Sequence, residues 1–243
     1  MRKVIITCII AAAVVSSAAI LGWSYRYKYD VQDNIVVTGL AEQEFSSDLI
    51  VWRANLTAKN NSLVGAYQKL ENDKTIVEEY FKENNIPDSS ITFQFVRTSE
   101  TTEARYVNGQ YTGQQRTGYE LTQEFSVQSY DVEKVETVSR EISSLLAKGV
   151  TIESWSPAEY YYTKLSDLKM ELIEKATADG KGRAEQIATQ SGSKLKSLKS
   201  GRLGVFQITG ANSTEALSAG GAFNTSSREK KARITIRMEY HIK

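Results

Sequence analysis

The chain holds one histidine, His241, and one cysteine, Cys8, among 243 residues. That excludes a Cys/His zinc site, a disulfide framework and a Ser-His-Asp triad with a histidine to spare. Cys8 follows Ile5-Ile6-Thr7, too short an apolar leader for a lipid-modified cysteine, and it lies inside an apolar run. His241 falls in an alternating segment with Arg233, Arg237 and Glu239 on one charged face, which reads as a surface histidine. The carboxylate pairs Glu78/Glu79 and Glu171/Glu174 have the chemistry of a general acid and base. Both lie in helical periods, where such charges form solvated faces. Asp179-Gly180-Lys181-Gly182-Arg183 carries a Gly-Lys pair but sits within a helix and not after a strand, so it is no phosphate-binding loop. No spacing couples a serine to a lysine or carboxylate. The expectation is a protein that is not an enzyme, with no catalytic, cofactor-binding or metal-binding residues and no cofactor. A carboxylate-dependent hydrolase is the catalytic alternative.

The residues that could bind are more informative than those that could react. Tyr160-Tyr161-Tyr162 cannot all face inward from one strand, so at least one is exposed. The cluster is either a strand with tyrosine on both faces or a ligand or subunit contact, since tyrosine is favoured at interfaces. Ala176, Gly180, Ala184 and Ala188 recur every fourth residue in the longest helical period, on one slowly drifting face. Small residues there allow close approach, either of a sheet within the fold or of a second copy. Asn108-Gly109 tolerates the positive φ angles of a type I′ turn. Its two-residue loop pairs Val107 with Gln110 and Tyr106 with Tyr111, at a polar, exposed tip that is either solvated or touches a partner.

These groups must be held by a body that composition makes globular: 41% hydrophobic and 24% charged residues, with 30 basic against 29 acidic. The near-zero net charge argues against a nucleic-acid partner. Arg2 and Lys3 precede an uncharged apolar run from Val4 to Trp23, about 30 Å long as a helix and so long enough to cross a bilayer. Ser17-Ala18-Ala19 could serve as a signal cleavage site, but the run stays apolar beyond it, which favours an uncleaved anchor. Trp23, Tyr25, Arg26, Tyr27, Lys28 and Tyr29 then form either an interfacial belt or the start of a strand. Residues 1–29 take four of the basic residues and none of the acids, leaving 26 basic against 29 acidic in the body. The free amine and short leader favour an inside N-terminus. The expected placement is a single-pass inner-membrane protein with its body facing the periplasm, or a soluble periplasmic protein after cleavage.

In the body, residues 35–39 read as a strand ending at Gly39, and residues 49–58 as a second strand. Leu63 to Asn84 has a helical stripe with Ser62 as N-cap and Pro87 at the exit. The hairpin arms run from about Ile91 to Val127. Asp131 to Leu146 is a helix, Val150, Ile152 and Trp155 a strand, and Lys164 to Ser191 the longest helix, with Gly192 at its C-cap. Leu195 to Ile208 is strand broken at Gly201 and Gly204. Thr209 to Glu229 is a loop, mobile in part. Ala232 to Ile242 is a half-buried strand. The order is ββαββ then αβαββ: an α+β fold of two similar small halves, about 33–129 and 130–243, with antiparallel sheets, behind an N-terminal segment of residues 1–29.

The segments Ile35-Val36-Val37-Thr38-Gly39, Asn85-Ile86-Pro87-Asp88-Ser89-Ser90-Ile91, Gly118-Tyr119-Glu120-Leu121 with Phe125-Ser126-Val127, Ser191-Gly192-Ser193-Lys194-Leu195 and Ala232-Arg233-Ile234-Thr235-Ile236 share an order and spacing. By these the body, residues 33–243, resembles the SIMPL-domain family of bacterial exported proteins. The segment before the hairpin tip departs from the family in lacking its common Pro-Tyr pair. The resemblance implies an exported α+β protein with no catalytic residues to transfer; relatives are associated with envelope or oxidative stress, and some assemble into homo-oligomers. The expected function is a non-enzymatic, membrane-anchored protein that self-associates, with the membrane, a second copy and an envelope protein as partners. The alternative is a monomeric ligand-binding or sensor module.

Overall fold

The computed structural model describes residues 2–30, 33–154, 156–216 and 218–243. Trp155, read above as strand, lies outside the described residues, as do the side chains of Cys8, Lys28 and Tyr29. Helix α1 (Arg2–Asp30) runs through the apolar stretch and through the flank, so the flank is helix and not the start of a strand. The body is α+β with two antiparallel sheets.

The first sheet has five strands. Its centre is β2 (Leu49–Asn60), which pairs along its length with β4 (Gln110–Ser129), itself paired with β3 (Ile91–Val107). The other edge of β2 is covered by two short pieces, β5 (Ile152–Glu153) and β6 (Glu159–Tyr161). The second sheet has four strands centred on β9 (Glu229–Ile242). One side of β9 pairs with β1 (Asn34–Ser46), and the other with β7 (Leu195–Leu203) and β8 (Gln207–Gly210). Each sheet thus has a long central strand, a long neighbour on one side and a broken neighbour on the other.

These similar units are not consecutive halves of the chain. β1 leaves the first half to pair with β9, while β5 and β6 return from the second half to β2. Helix α3 (Val132–Glu141) and the 3₁₀ segment Ile142–Lys148 also pack into the first unit. The boundary near residue 129 therefore separates neither the sheets nor the cores. Alternation reveals which face of a strand is buried, but not which strand lies beside it.

Helix α2 (Leu63–Glu83) starts where Ser62 accepts a hydrogen bond from the Gly65 N–H at 3.1 Å. Its buried face brings Phe81 against Trp52 and Phe125, edge-to-face, with centroids 5.5–6.4 Å apart around the triangle. Helix α4 (Leu165–Gln190) covers the second sheet with a smaller-grained core of Leu168, Leu172, Ala176, Ala184 and Ala188 against Ile234, Ile236 and Met238. The Asn108-Gly109 turn forms with φ of 52° and 79°, and Val107 pairs with Gln110 and Tyr106 with Tyr111 as the spacing predicts.

Gly39 does not end its strand; β1 runs on to Ser46. The glycine serves the crossing of α4 instead. A Cβ on Gly39 would lie 2.0 Å from the Ala176 carbonyl oxygen and 2.8 Å from the Gly180 nitrogen. Both obstacles are backbone, so neither can rotate away. Gly39→Ala is expected to lower unfolding stability by about 3 kcal/mol, read as a fall in the urea midpoint. Wild-type stability in this variant would show that the helix does not press on the strand there.

Candidate interaction site

The structure places the four small residues of α4 inside the fold. Ala176, Gly180, Ala184 and Ala188 are buried against β1 and β9, and the Gly180 backbone touches that of Gly39. Beside this contact the Leu40 N–H donates to Asp179 Oδ2 at 2.9 Å, and Arg183 Nε reaches the same oxygen at 2.9 Å. The Leu40 bond, and then Arg183, hold the Asp179 carboxyl below the usual carboxylate range. Of the two readings left open by the spacing, the internal helix–sheet contact is the one formed. This face is not available to a second copy.

Tyr160, Tyr161 and Tyr162 are each half-buried and lie where the chain passes from one sheet to the other. Tyr160 packs on the first core and its hydroxyl donates to Glu136 Oε1 of α3 at 2.6 Å. Burial, and then this carboxylate, push the phenol up to about 12. Tyr161 Oη donates to Glu159 at 3.0 Å, which also takes Arg53 Nη1 at 2.6 Å. Tyr162 packs on the second core, its ring 4.8 Å from that of Phe45. Tyr160 and Tyr162 therefore pack on different cores, while Tyr161 stays on the first sheet beside Glu159 and Arg53.

Two chain crossings lie side by side here. Ser47-Asp48 carries the chain from β1 to β2, and Tyr162-Thr163-Lys164 carries it from β6 to α4. Asp48 ties them. Its N–H donates to the Tyr161 carbonyl at 3.0 Å, and its two carboxylate oxygens accept from the Thr163 N–H and hydroxyl, each at 2.7 Å. The loop that enters β9 lies against the same place. The Ser47 N–H donates to the Arg228 carbonyl at 3.0 Å, and Arg228 Nη1 reaches Glu136 Oε2 at 3.3 Å.

A polar cluster that sequence reading missed anchors the loop before β9. Lys230 is 2% exposed, and its ammonium donates to the Asn224 carbonyl at 2.6 Å. Asn224 in turn donates to Glu215, whose other oxygen accepts the Gly210 N–H at 3.2 Å. Gln207 holds Ser218 and Ala222 from the strand side. Burial lowers the Lys230 amine to about 8, against the opposing pull of Glu215. The stretch between Thr209 and Glu229, read as a loop mobile in part, is thus tied to its sheet at Glu215, Ser218, Ala222 and Asn224. The signal was present: carrying the inward set Ala232, Ile234, Ile236 back by two reaches Lys230.

One free edge of the second sheet is the outer edge of β1. Because the Leu40 N–H points to Asp179 and not to β9, Val36 and Thr38 also turn their N–H and C=O groups outward. A groove of about 640 Å³ runs beside them, lined by Val36, Val37, Thr38, Arg183, Gln186, Ile187 and Gln190. Val36 is 50% and Ile187 49% exposed. At the far end of the first sheet the β3–β4 hairpin projects, exposed to its Asn108-Gly109 tip. In α1, Trp23, Tyr25 and Tyr27 are all exposed. Residues Ile9–Tyr27 are long and apolar enough to span a bilayer, and no part of the body covers them. Among the described residues no three His, Cys, Asp or Glu side chains are grouped to hold a metal ion.

The molecule is therefore an α+β protein of two interlocked antiparallel sheets behind an N-terminal apolar helix of the kind that serves as a signal anchor or signal sequence. Residues 35–240 match the family model described as SIMPL, Protein of unknown function (DUF541), and the chain belongs to the SIMPL family. No curated protein matches it.

Removing the Asp48 carboxylate strips two acceptors from Thr163. Asp48→Ala is expected to cost about 2 kcal/mol and Asp48→Asn, which keeps one acceptor, about half that. Urea unfolding followed by circular dichroism reads both. Equal stability of all three proteins would show that the crossings do not depend on this residue.

Proposed function

We propose that the protein is non-enzymatic and works by self-association, held by α1 as a single-pass inner-membrane anchor with its body in the periplasm. The observation that carries this reading is the unguarded edge of β1. Residues 34–41 read Asn-Ile-Val-Val-Thr-Gly-Leu-Ala, β-branched at four positions and without a charge. The opposite edge of the same sheet, β7, carries Lys196, Lys199 and Arg202. Charged side chains are how proteins keep an exposed edge from pairing. On β1 the strand itself is uncharged over these residues, and the charges beside it, Asp179 and Arg183 of α4, are paired with one another near Leu40.

The occupant proposed for the edge is a second copy. Two β1 strands can meet antiparallel about a two-fold axis with uncharged residues opposite one another, while Glu42 and Glu44 stay beyond the centre. Anchoring by α1 confines copies to a plane and raises their effective concentration, so a modest edge contact suffices. Trp23, Tyr25 and Tyr27 serve as the interfacial belt. The hairpin tip remains open to an envelope protein partner. Loss of the protein is expected to show under envelope or oxidative stress.

The test is the mass of the full chain by light scattering in a non-ionic detergent, with the detergent contribution subtracted, across a concentration series. A defined multimer at low micromolar concentration is expected. The double variant Val36→Lys, Ile187→Lys, which alters only exposed side chains, is expected to be monomeric at the same concentration. A wild-type monomer, or a multimer that the double variant leaves intact, overturns the reading.

A further inference from the structure

A second concave surface, remote from the β1 edge and independent of self-association, lies at the end of the first sheet. It encloses about 550 Å³, within the range of small-molecule sites. Its floor is the outer face of the sheet, where Thr92 on β3 and Ser126 on β4 are register partners and Gln128 follows two residues on. One wall is the 3₁₀ turn Asp88–Ser90, presenting Ser89 and Ser90. The other is the β4–α3 corner, presenting Tyr130, which is 73% exposed. Two of the segments singled out in the sequence, 85–91 and 125–127, meet here although more than thirty residues separate them.

Both walls are held by hydrogen bonds to backbone N–H groups. The Ser90 N–H donates to the Pro87 carbonyl at 2.9 Å. On the other side the Asp131 N–H donates to Ser129 Oγ at 3.0 Å, and Asp131 Oδ1 caps α3 through the Lys134 N–H at 3.2 Å. The groove is thus preformed, which lowers the cost of binding. Its functional groups are not committed: the hydroxyls of Ser89, Ser90, Thr92 and Ser126 and the Gln128 amide make no hydrogen bond within the described protein, whereas the Asp131 carboxylate is occupied by Lys134.

The lining chooses the ligand class. It contains no cationic side chain to hold a phosphate or carboxylate, and its single acid, Asp131, is already paired with Lys134. Leu49, Pro87 and Tyr130 provide too little apolar wall for an acyl chain. What remains is a set of neutral donors and acceptors beside one exposed aromatic ring. A sugar meets that description: its hydroxyls match the polar groups, and its C–H face packs on the ring while the Tyr130 hydroxyl stays in water. We infer that this groove binds a neutral oligosaccharide segment, with Tyr130 as the stacking platform and Thr92, Ser126 and Gln128 as its hydrogen-bonding floor.

The test uses the full chain in lipid nanodiscs, since a maltoside detergent would itself compete. Titration calorimetry with the N-acetylglucosamine trimer and with maltotriose is expected to give saturable binding of at least one, with Kd between about 0.1 and 1 mM. Tyr130→Ala is expected to weaken it about tenfold, Tyr130→Phe less than about twofold, and Gln128→Ala severalfold. Trigalacturonic acid is expected to bind more weakly than the neutral probe. Tyr130 and Gln128 are exposed and unbonded, so these variants keep the fold. Absence of binding by both neutral probes up to about 10 mM, undiminished binding by Tyr130→Ala, or tighter binding of the acidic probe each overturns the inference.

Discussion

Everything else in the body depends on a place where two strands that follow one another do not pair. β1 and β2 are separated only by Ser47 and Asp48, yet they belong to different sheets. A polar link at such a crossing has backbone groups that no ladder satisfies. Asp48 resolves this by bonding the second crossing at Thr163 and Tyr161, so each link supplies the partners the other lacks. The two links lie where β1 leaves for β9 and where the chain passes from β6 to α4, so the tie joins the two units at the point where the chain exchanges between them.

The packing on each side then differs in grain. The first unit is held by large rings, Trp52, Phe81 and Phe125, whose edge-to-face arrangement fills the space between α2 and the sheet. The second is held by the absence of side chains, with Gly39 and Gly180 in backbone contact and alanines at the next turns. That close approach spends the small-residue face of α4 inside the molecule. It also brings Asp179 to the Leu40 N–H, which covers one outward group of β1 and leaves those of Val36 and Thr38 beside the groove.

Local features were legible in the residues. Asn108-Gly109 specified its turn and register, Ser62 its helix start, and the alternation of Ala232 to Ile242 its buried face. Features made by non-local pairing were not. Gly39 looked like a strand end, because a glycine needed for the approach of a helix far along the chain carries the same letter as one needed for a turn. The small residues of α4 read equally well as an internal or an external contact, since periodicity defines a face without naming its neighbour. The oligosaccharide groove joins Ser89, Thr92, Ser126 and Tyr130 across the sheet, and no spacing along the chain announces it. Lys230 was missed for a different reason: a charged residue was taken to end the buried alternation that in fact continues through it.

The central functional claim is that the outward edge of β1 is paired by a second copy in the membrane. Amide hydrogen exchange at Val36 and Thr38 reads it directly, because these groups point away from β9 and are protected only if another strand takes them. The full chain is compared at high density in liposomes and at one copy per nanodisc. The account predicts slow exchange at both amides in liposomes and fast exchange in single-copy discs. Fast exchange in both would contradict it.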